Sequence, residues 1–243
     1  MSKINFEKFD ILNALKKLSI KRKLFHCEAD FQFELAWTIK EMYDVNIRME
    51  YPYTKEENNS LKRNYIDILV IDKKLKNAIP IELKYKTKKE KGHIEGKEKY
   101  NLTQQSAHND NRYYIYQDIE RIQHLVKSSV NNNAKNFNIA KGYVVFLTND
   151  EAYIKNKRNK NTTDEKFEVA AKKSYEQIKK EITHKNNGDI IDKVFEVDDF
   201  QNNLKYKDKG ILKLVEKPAG KWYKYSEYDN KFVYQLVFTI TNN

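Results

Sequence analysis

Apolar residues recur at helical spacing near the start of the chain. Phe6, Phe9, Leu12, Leu15 and Leu18 lie three residues apart, which predicts an amphipathic helix over residues 4–18. A second stripe of Phe31, Leu35, Ile39 and Met42 follows Asp30, a residue suited to cap a helix that ends near Asp44. The period then changes. Residues 47–53 are half polar, whereas 65–71 and 78–85 are almost wholly apolar, and such runs predict strands covered on both faces. Residues 84–99 carry seven Lys together with Gly92 and Gly96 and read as a mobile loop. Helical spacing returns over 111–129 with Ile115, Ile119, Ile122 and Val126. An Asn-rich connection at 131–138 leads to an apolar strand at 142–148. Residues 155–166 read as a second basic loop, and 166–183 as a helix bearing Ala170, Ala171, Tyr175 and Ile178. Strands are expected at 211–215, 221–226 and 232–240, where aromatic and β-branched residues gather.

Between residues 30 and 149 the order is helix, three strands, helix, strand. Helices interleaved with buried strands imply an α/β layer structure. The strand at 142–148 is expected to rejoin the sheet by a right-handed crossover. Residues 1–29 then form an N-terminal helical segment, 30–149 the core, and 150–243 a helix and β-strand extension packed on it. No repeat of 20–50 residues is present, which argues against a solenoid.

Composition sharpens this picture in part. The chain has 243 residues, 46 Lys plus Arg against 35 Asp plus Glu, and a net charge of +11. Its 17 Tyr and 12 Phe lift it out of the disordered class and supply a core. Such charge suits a polyanion. The discount is that nearly all the basic residues are Lys, whose codons, like those of the abundant Asn, Ile and Tyr, are AT-rich. A single Cys, Cys27, excludes a disulfide framework and points to a reducing, cytoplasmic setting. No apolar run is long enough for a membrane helix, so no membrane partner is expected.

Candidate chemistry lies where charge interrupts the apolar strands. Asp67 sits inside Tyr65–Ile71, and Glu82 and Lys84 inside Ile79–Lys84. Alternation along a strand puts Glu82 and Lys84 on one face and Ile81 and Leu83 on the other. Buried charges must be paired, solvated at a strand end or bound to metal. If the two runs are neighbouring strands, Asp67 lies beside Glu82, and two adjacent carboxylates repel unless a cation separates them. A hard cation such as Mg²⁺, with Mn²⁺ able to substitute, suits two carboxylates, waters and the backbone carbonyl of Leu83. Lys84 would then orient a metal-bound water or stabilise charge on a phosphate. The bland reading stays open beside this one: a Glu82–Lys84 ion pair at a sheet edge, with Asp67 opening its strand.

Asp67 followed fifteen residues later by Glu82-Leu83-Lys84 resembles the signature of the PD-(D/E)XK nuclease superfamily, the restriction endonuclease-like fold. The resemblance spans residues 30–149 and implies an α/β core in which a central mixed sheet is flanked by helices, with a β-rich C-terminal extension. It implies that Asp67 and Glu82 bind Mg²⁺ and that Lys84 assists attack of water on a phosphodiester. It places Glu34, on the helix before the first strand, as a further acidic member of the metal site, with Glu50 a weaker rival. Ile66 stands where the family name has Pro. The implied substrate is DNA, with RNA second, in restriction, defence or DNA processing. A homodimer or a separate partner subunit is compatible with that family.

Lys86, Lys88 and Lys89 follow the motif directly and are the expected phosphate contacts. Gln104, Asp118 and Arg121 lie on or near the next helix, where an ordinary polar face competes with a substrate groove. Tyr113, Tyr114 and Tyr116 offer base stacking, but core packing is the expected role. The five His show no ligand spacing with Cys27, and no phosphate-binding Gly-rich loop or Ser nucleophile elbow is present. A nuclease-fold module that binds nucleic acid or protein without cutting is the alternative.

Overall fold

The computed structural model describes residues 3–57, 60–127, 137–155, 167, 169–171, 176–177, 203–206, 209 and 211–242. The chain opens with a 3₁₀ turn at Phe6–Lys8 and helix α1 (Ile11–Lys21), so the stripe foreseen over 4–18 is split. Asp10 causes the split: its side chain accepts the Leu12 N–H at 2.9 Å and caps a new helix start. Helix α2 (Glu28–Met42) begins two residues before Asp30. Asp30 lies in its first turn, where its carboxylate takes the His26 N–H at 2.9 Å. Phe31, Leu35 and Ile39 are fully buried along one side of α2.

Three strands follow, β1 (Asn46–Glu57), β2 (Ser60–Ile71) and β3 (Ala78–Lys86). Next come a hairpin of β4 (Glu90–Glu95) and β5 (Glu98–Leu102), helix α3 (His108–Lys127) and strand β6 (Lys141–Thr148). A short helix α4 (Ala152–Lys155) precedes β7 (Asn203–Lys205), β8 (Ile211–Lys213), β9 (Gly220–Tyr228) and β10 (Lys231–Thr241). Of the basic loop expected at 155–166 all but Lys155, which ends α4, lies outside the described residues, as does most of the Asn-rich connection and of the helix expected at 166–183; within that last stretch 176–177 are helical, whereas 167 and 169–171 are not.

Among the described residues a six-stranded sheet runs β1-β2-β3-β6-β10-β9. All its pairings are antiparallel except β3 with β6, which are parallel and joined through α3. The sheet is therefore mixed, helices flank it, and the C-terminal strands β10 and β9 continue it past β6. Alternation sorts the core into two layers. Ile68, Val70, Ile79, Ile81, Leu83 and Val145 pack under α1 and α2, while Leu69, Ile71, Val144, Phe146 and Leu236 pack under α3. Both faces are covered, which explains the near-continuous apolar runs of β2, β3 and β6.

The loop expected at residues 84–99 is instead the end of β3 and most of the β4–β5 hairpin. One face of the hairpin is anchored by buried Tyr100 and Leu102, and Gly96 closes the turn at φ +61°. Its other face carries Lys91, Ile94, Lys99 and Asn101, while Glu90, Glu95 and Glu98 share the face of Tyr100 and Leu102, so charge on both faces masks the period of two. No helix among the described residues is long and apolar enough to cross a membrane.

Candidate active site

The site forms where the sheet's hydrogen bonding opens around one residue. β1 and β2 pair at Met49↔Ile68 and at Tyr51↔Ile66, but Glu50 and Asp67 between them are not paired, and Glu50 has φ +49°. On the other side the β2–β3 ladder runs from Ile71↔Ala78 to Ile68↔Ile81 and stops one step before Asp67 would meet Glu82. Side chains take over the freed backbone groups. The Asp67 carbonyl accepts from Gln32 Nε2 of α2 at 2.7 Å, and the same amide nitrogen reaches Glu50 Oε1 at 2.8 Å. Asp67 Oδ2 in turn accepts the Leu83 N–H at 2.6 Å. The carboxylate is thus fixed in the gap between the two strands.

Glu82 and Lys84 project from β3 toward α3, opposite Ile81 and Leu83. Glu82 is fully buried, and its Oε2 accepts from Arg121 Nη1 at 2.8 Å. Its Oε1 is buried with no hydrogen-bond partner among the described residues. Lys84 Nζ lies 2.8 Å from Asp118 Oδ2 and donates to the Leu83 carbonyl at 3.0 Å. Arg121 also stands 3.4 Å from Asp118 Oδ1, one helical turn away. Asp67, Glu82, Lys84, Asp118 and Arg121 form one network, with three carboxylates to two cations.

Burial sets the electrostatics. It pushes the Asp67 carboxyl up to about 6, against the opposing pull of Lys84 and the Leu83 N–H. It raises Glu82 well above the ordinary range, with Asp118 and Asp67 adding to the rise and Arg121 opposing it. Asp118 is raised by burial too. Burial alone would lower Lys84, but Asp118, Glu28 and Asp67 overcome it and hold the ammonium charged. Arg121 is held charged in the same way by Glu82 and Asp118.

The structure does not bring Glu34 into this group. Glu34 Oε1 pairs with Arg22 Nη1 at 3.4 Å, in a cluster with Asp30 and Glu98. The physical reason is helical phase: Gln32 faces the sheet, and two residues on, Glu34 is turned about 200° away. Glu28, one turn before Gln32, is the α2 carboxylate at the site. Its Oε2 accepts the Tyr85 N–H at 2.8 Å and lies 3.4 Å from Lys86 Nζ. Arg121, expected among the nucleic-acid contacts, points inward to Glu82 and Asp118. Lys86 is half-buried on Glu28, whereas Lys88 and Lys89 are exposed. Gln104 precedes α3, and its side chain accepts the Lys89 N–H at 3.2 Å. Tyr113 and Tyr116 are buried in the core, and Tyr114 is exposed.

Asp118 was legible in principle. Ile115, Asp118, Ile119 and Ile122 share the i, i+3, i+4, i+7 stripe of α3, and an acid in an apolar stripe needs a partner. Gln32 had a weaker signal of the same kind between Phe31 and Leu35.

Among the described residues no group of three or more His, Cys, Asp and Glu is arranged to hold a metal ion. The donors at the ladder gap are two carboxylates, Asp67 and Glu82, and the Leu83 carbonyl. They are oxygens of the kind a hard cation takes, and the unpartnered Glu82 Oε1 is a vacant acceptor among them. The residues present therefore fit a divalent cation that completes its shell with water. A scan of family models found no match to the chain, and searches of curated proteins and of solved structures found none either.

Proposed function

We propose that the protein is a metal-dependent nuclease of the PD-(D/E)XK type that hydrolyses phosphodiester bonds in DNA, in restriction, defence or DNA processing. The observation that carries this reading is the grouping of Asp67, Glu82 and Lys84 where the β2–β3 ladder ends. The order helix, three sheet strands, helix, strand, with the β4–β5 hairpin inserted before the second helix, supports a restriction endonuclease-like core.

In this reading Asp67, Glu82 and the Leu83 carbonyl hold Mg²⁺ or Mn²⁺. The bound cation would supply an activated water and charge neutralisation at the phosphate. Lys84, held by Asp118, places an ammonium beside the carboxylates, where it orients the attacking water and stabilises charge developing on the phosphoryl oxygens. Gln32 and Glu50 hold the backbone of Asp67. Lys88 and Lys89, exposed beyond β3, contact phosphates of the duplex.

The test is incubation with plasmid, linear and single-stranded DNA and with RNA, in Mg²⁺ or Mn²⁺. Cleavage of DNA that is abolished by Glu82→Ala and by Lys84→Ala is expected. No cleavage of any substrate, or cleavage unchanged by Glu82→Ala, rejects the proposal. One observation favours a second reading, a nuclease-fold module that binds without cutting: Arg121 already occupies Glu82 Oε2. Such a module would show no heat of Mn²⁺ binding that depends on Asp67 and Glu82.

A further inference from the structure

We propose that Arg121 and a divalent cation are alternative counter-ions for Glu82, with Arg121 holding the carboxylate when metal is absent and shifting onto Asp118 when metal enters. This rests on the reading of Asp67 and Glu82 as a metal site.

Three features of the network carry it. Glu82 is fully buried, and a buried carboxylate with no cation at all would be strongly unfavourable. Arg121 Nη1 meets that need at 2.8 Å, but through Oε2 alone, which leaves Oε1 buried and without a hydrogen-bond partner among the described residues. Arg–carboxylate pairs are frequently bidentate. Here the guanidinium takes one oxygen, so the other is left for a second cation. Arg121 also has a second acceptor within reach, Asp118 Oδ1 at 3.4 Å, so it can leave Glu82 without being stranded. Its side chain is 22% exposed, in contrast to 1% for Glu82 and 2% for Asp118, so the guanidinium is the one member of the three with room to move.

The charge count gives the direction. With Arg121 on Glu82 the site's positive charge is supplied by the protein, and an incoming cation meets Coulomb repulsion from a neighbour in a poorly screened setting. Removing the guanidinium leaves Glu82 unneutralised, which weakens the metal-free fold and strengthens cation binding. Arg121 is therefore a positioning residue that acts through Glu82.

The experiment is calorimetric titration of the metal-free full chain with Mn²⁺, paired with thermal melting with and without Mn²⁺, for the parent, Arg121→Ala, Arg121→Gln, Glu82→Ala and Asp67→Ala. Arg121→Gln keeps a donor and most of the volume, so it covers the case in which Arg121→Ala does not fold. The expected result is Mn²⁺ binding about tenfold tighter or more in the Arg121 variants, with lower melting temperature in EDTA and a larger rise on adding Mn²⁺. Added methylguanidinium should restore the EDTA melting temperature of Arg121→Ala and weaken its Mn²⁺ binding. If the parent binds Mn²⁺ in a manner lost in Glu82→Ala and Asp67→Ala, yet the Arg121 variants bind equally or more weakly, the counter-ion exchange is overturned and the metal site stands. If neither the parent nor the Arg121 variants bind Mn²⁺ through Glu82 and Asp67, the metal site itself is rejected, and the exchange with it.

Discussion

Replacing Asp67 with Asn should make the metal-free protein more stable at neutral pH. The substitution keeps an oxygen that can accept the Leu83 N–H, now 2.6 Å away, and replaces the other oxygen with an uncharged NH₂ group. In the folded chain burial pushes this carboxyl from the ordinary 3.8 up to about 6. A rise of about two units, at about 1.4 kcal/mol each, corresponds to about 3 kcal/mol of destabilisation when the group is ionised. The pH dependence follows from the sign. Below about pH 4 the carboxyl is neutral in folded and unfolded chains alike, and Asp67 costs nothing. Above about pH 6 it is ionised in both, and the folded state carries the whole burden of holding the charge away from water. The gain from Asp67→Asn should therefore be about 3 kcal/mol at pH 7.5, appear between pH 4 and 6, and vanish below. In a chain of this size that is a rise in Tm of about 6–12 °C. Thermal and urea melts in EDTA across that pH range measure it. An unchanged or lower stability at pH 7.5, or a gain that persists undiminished at pH 4, would refute buried charge as the cause. Under the proposed function the stabilised variant should also fail to cleave DNA, the pattern expected where a site is built at the expense of stability.

Three further outcomes are expected. Gly142→Ala would place a Cβ 2.6 Å from Ile122 Cγ2 and 3.0 Å from Pro80 Cγ, so it should lose about 1–3 kcal/mol in urea unfolding, and a neutral effect would contradict the packing of α3 on β3 and β6. Asp150 is buried, but His108 Nε2 at 2.8 Å and the Ala152 N–H at 3.0 Å outweigh that burial and hold its carboxyl below the usual range. Asp150→Ala should thus destabilise at pH 7, with a deficit that shrinks as pH falls through the carboxylate range, and a deficit independent of pH would count against the pair. Lys88→Ala and Lys89→Ala, both exposed, should leave the melting temperature unchanged and each reduce the slope of log K for DNA against log salt by about 1, whereas an unchanged slope would remove them from the interface.

The chain's own pattern determined the layers. Near-continuous apolar runs at 65–71, 78–85 and 142–148 and the period-3.6 stripe at 111–129 become strand in β2, β3 and β6 and helix α3, because hydrophobic burial acts on local spacing and leaves its trace there. The same contrast exposed Asp67, Glu82 and Lys84, charges in strands that must be dry on both faces. Tertiary structure decided what those charges meet. Which helix residue faces them depends on the rotation of α2 against the sheet, and that rotation presents Glu28 and Gln32 and turns Glu34 to Arg22. The side chain that caps the ladder gap at Asp67 comes from α2, 35 residues earlier in the chain, and the pairing of Arg121 with Glu82 from the docking of α3 across 39. Spacing along a chain encodes which face a residue takes on its own element. The partner on another element is set by how two elements pack, and no single stretch of sequence carries that.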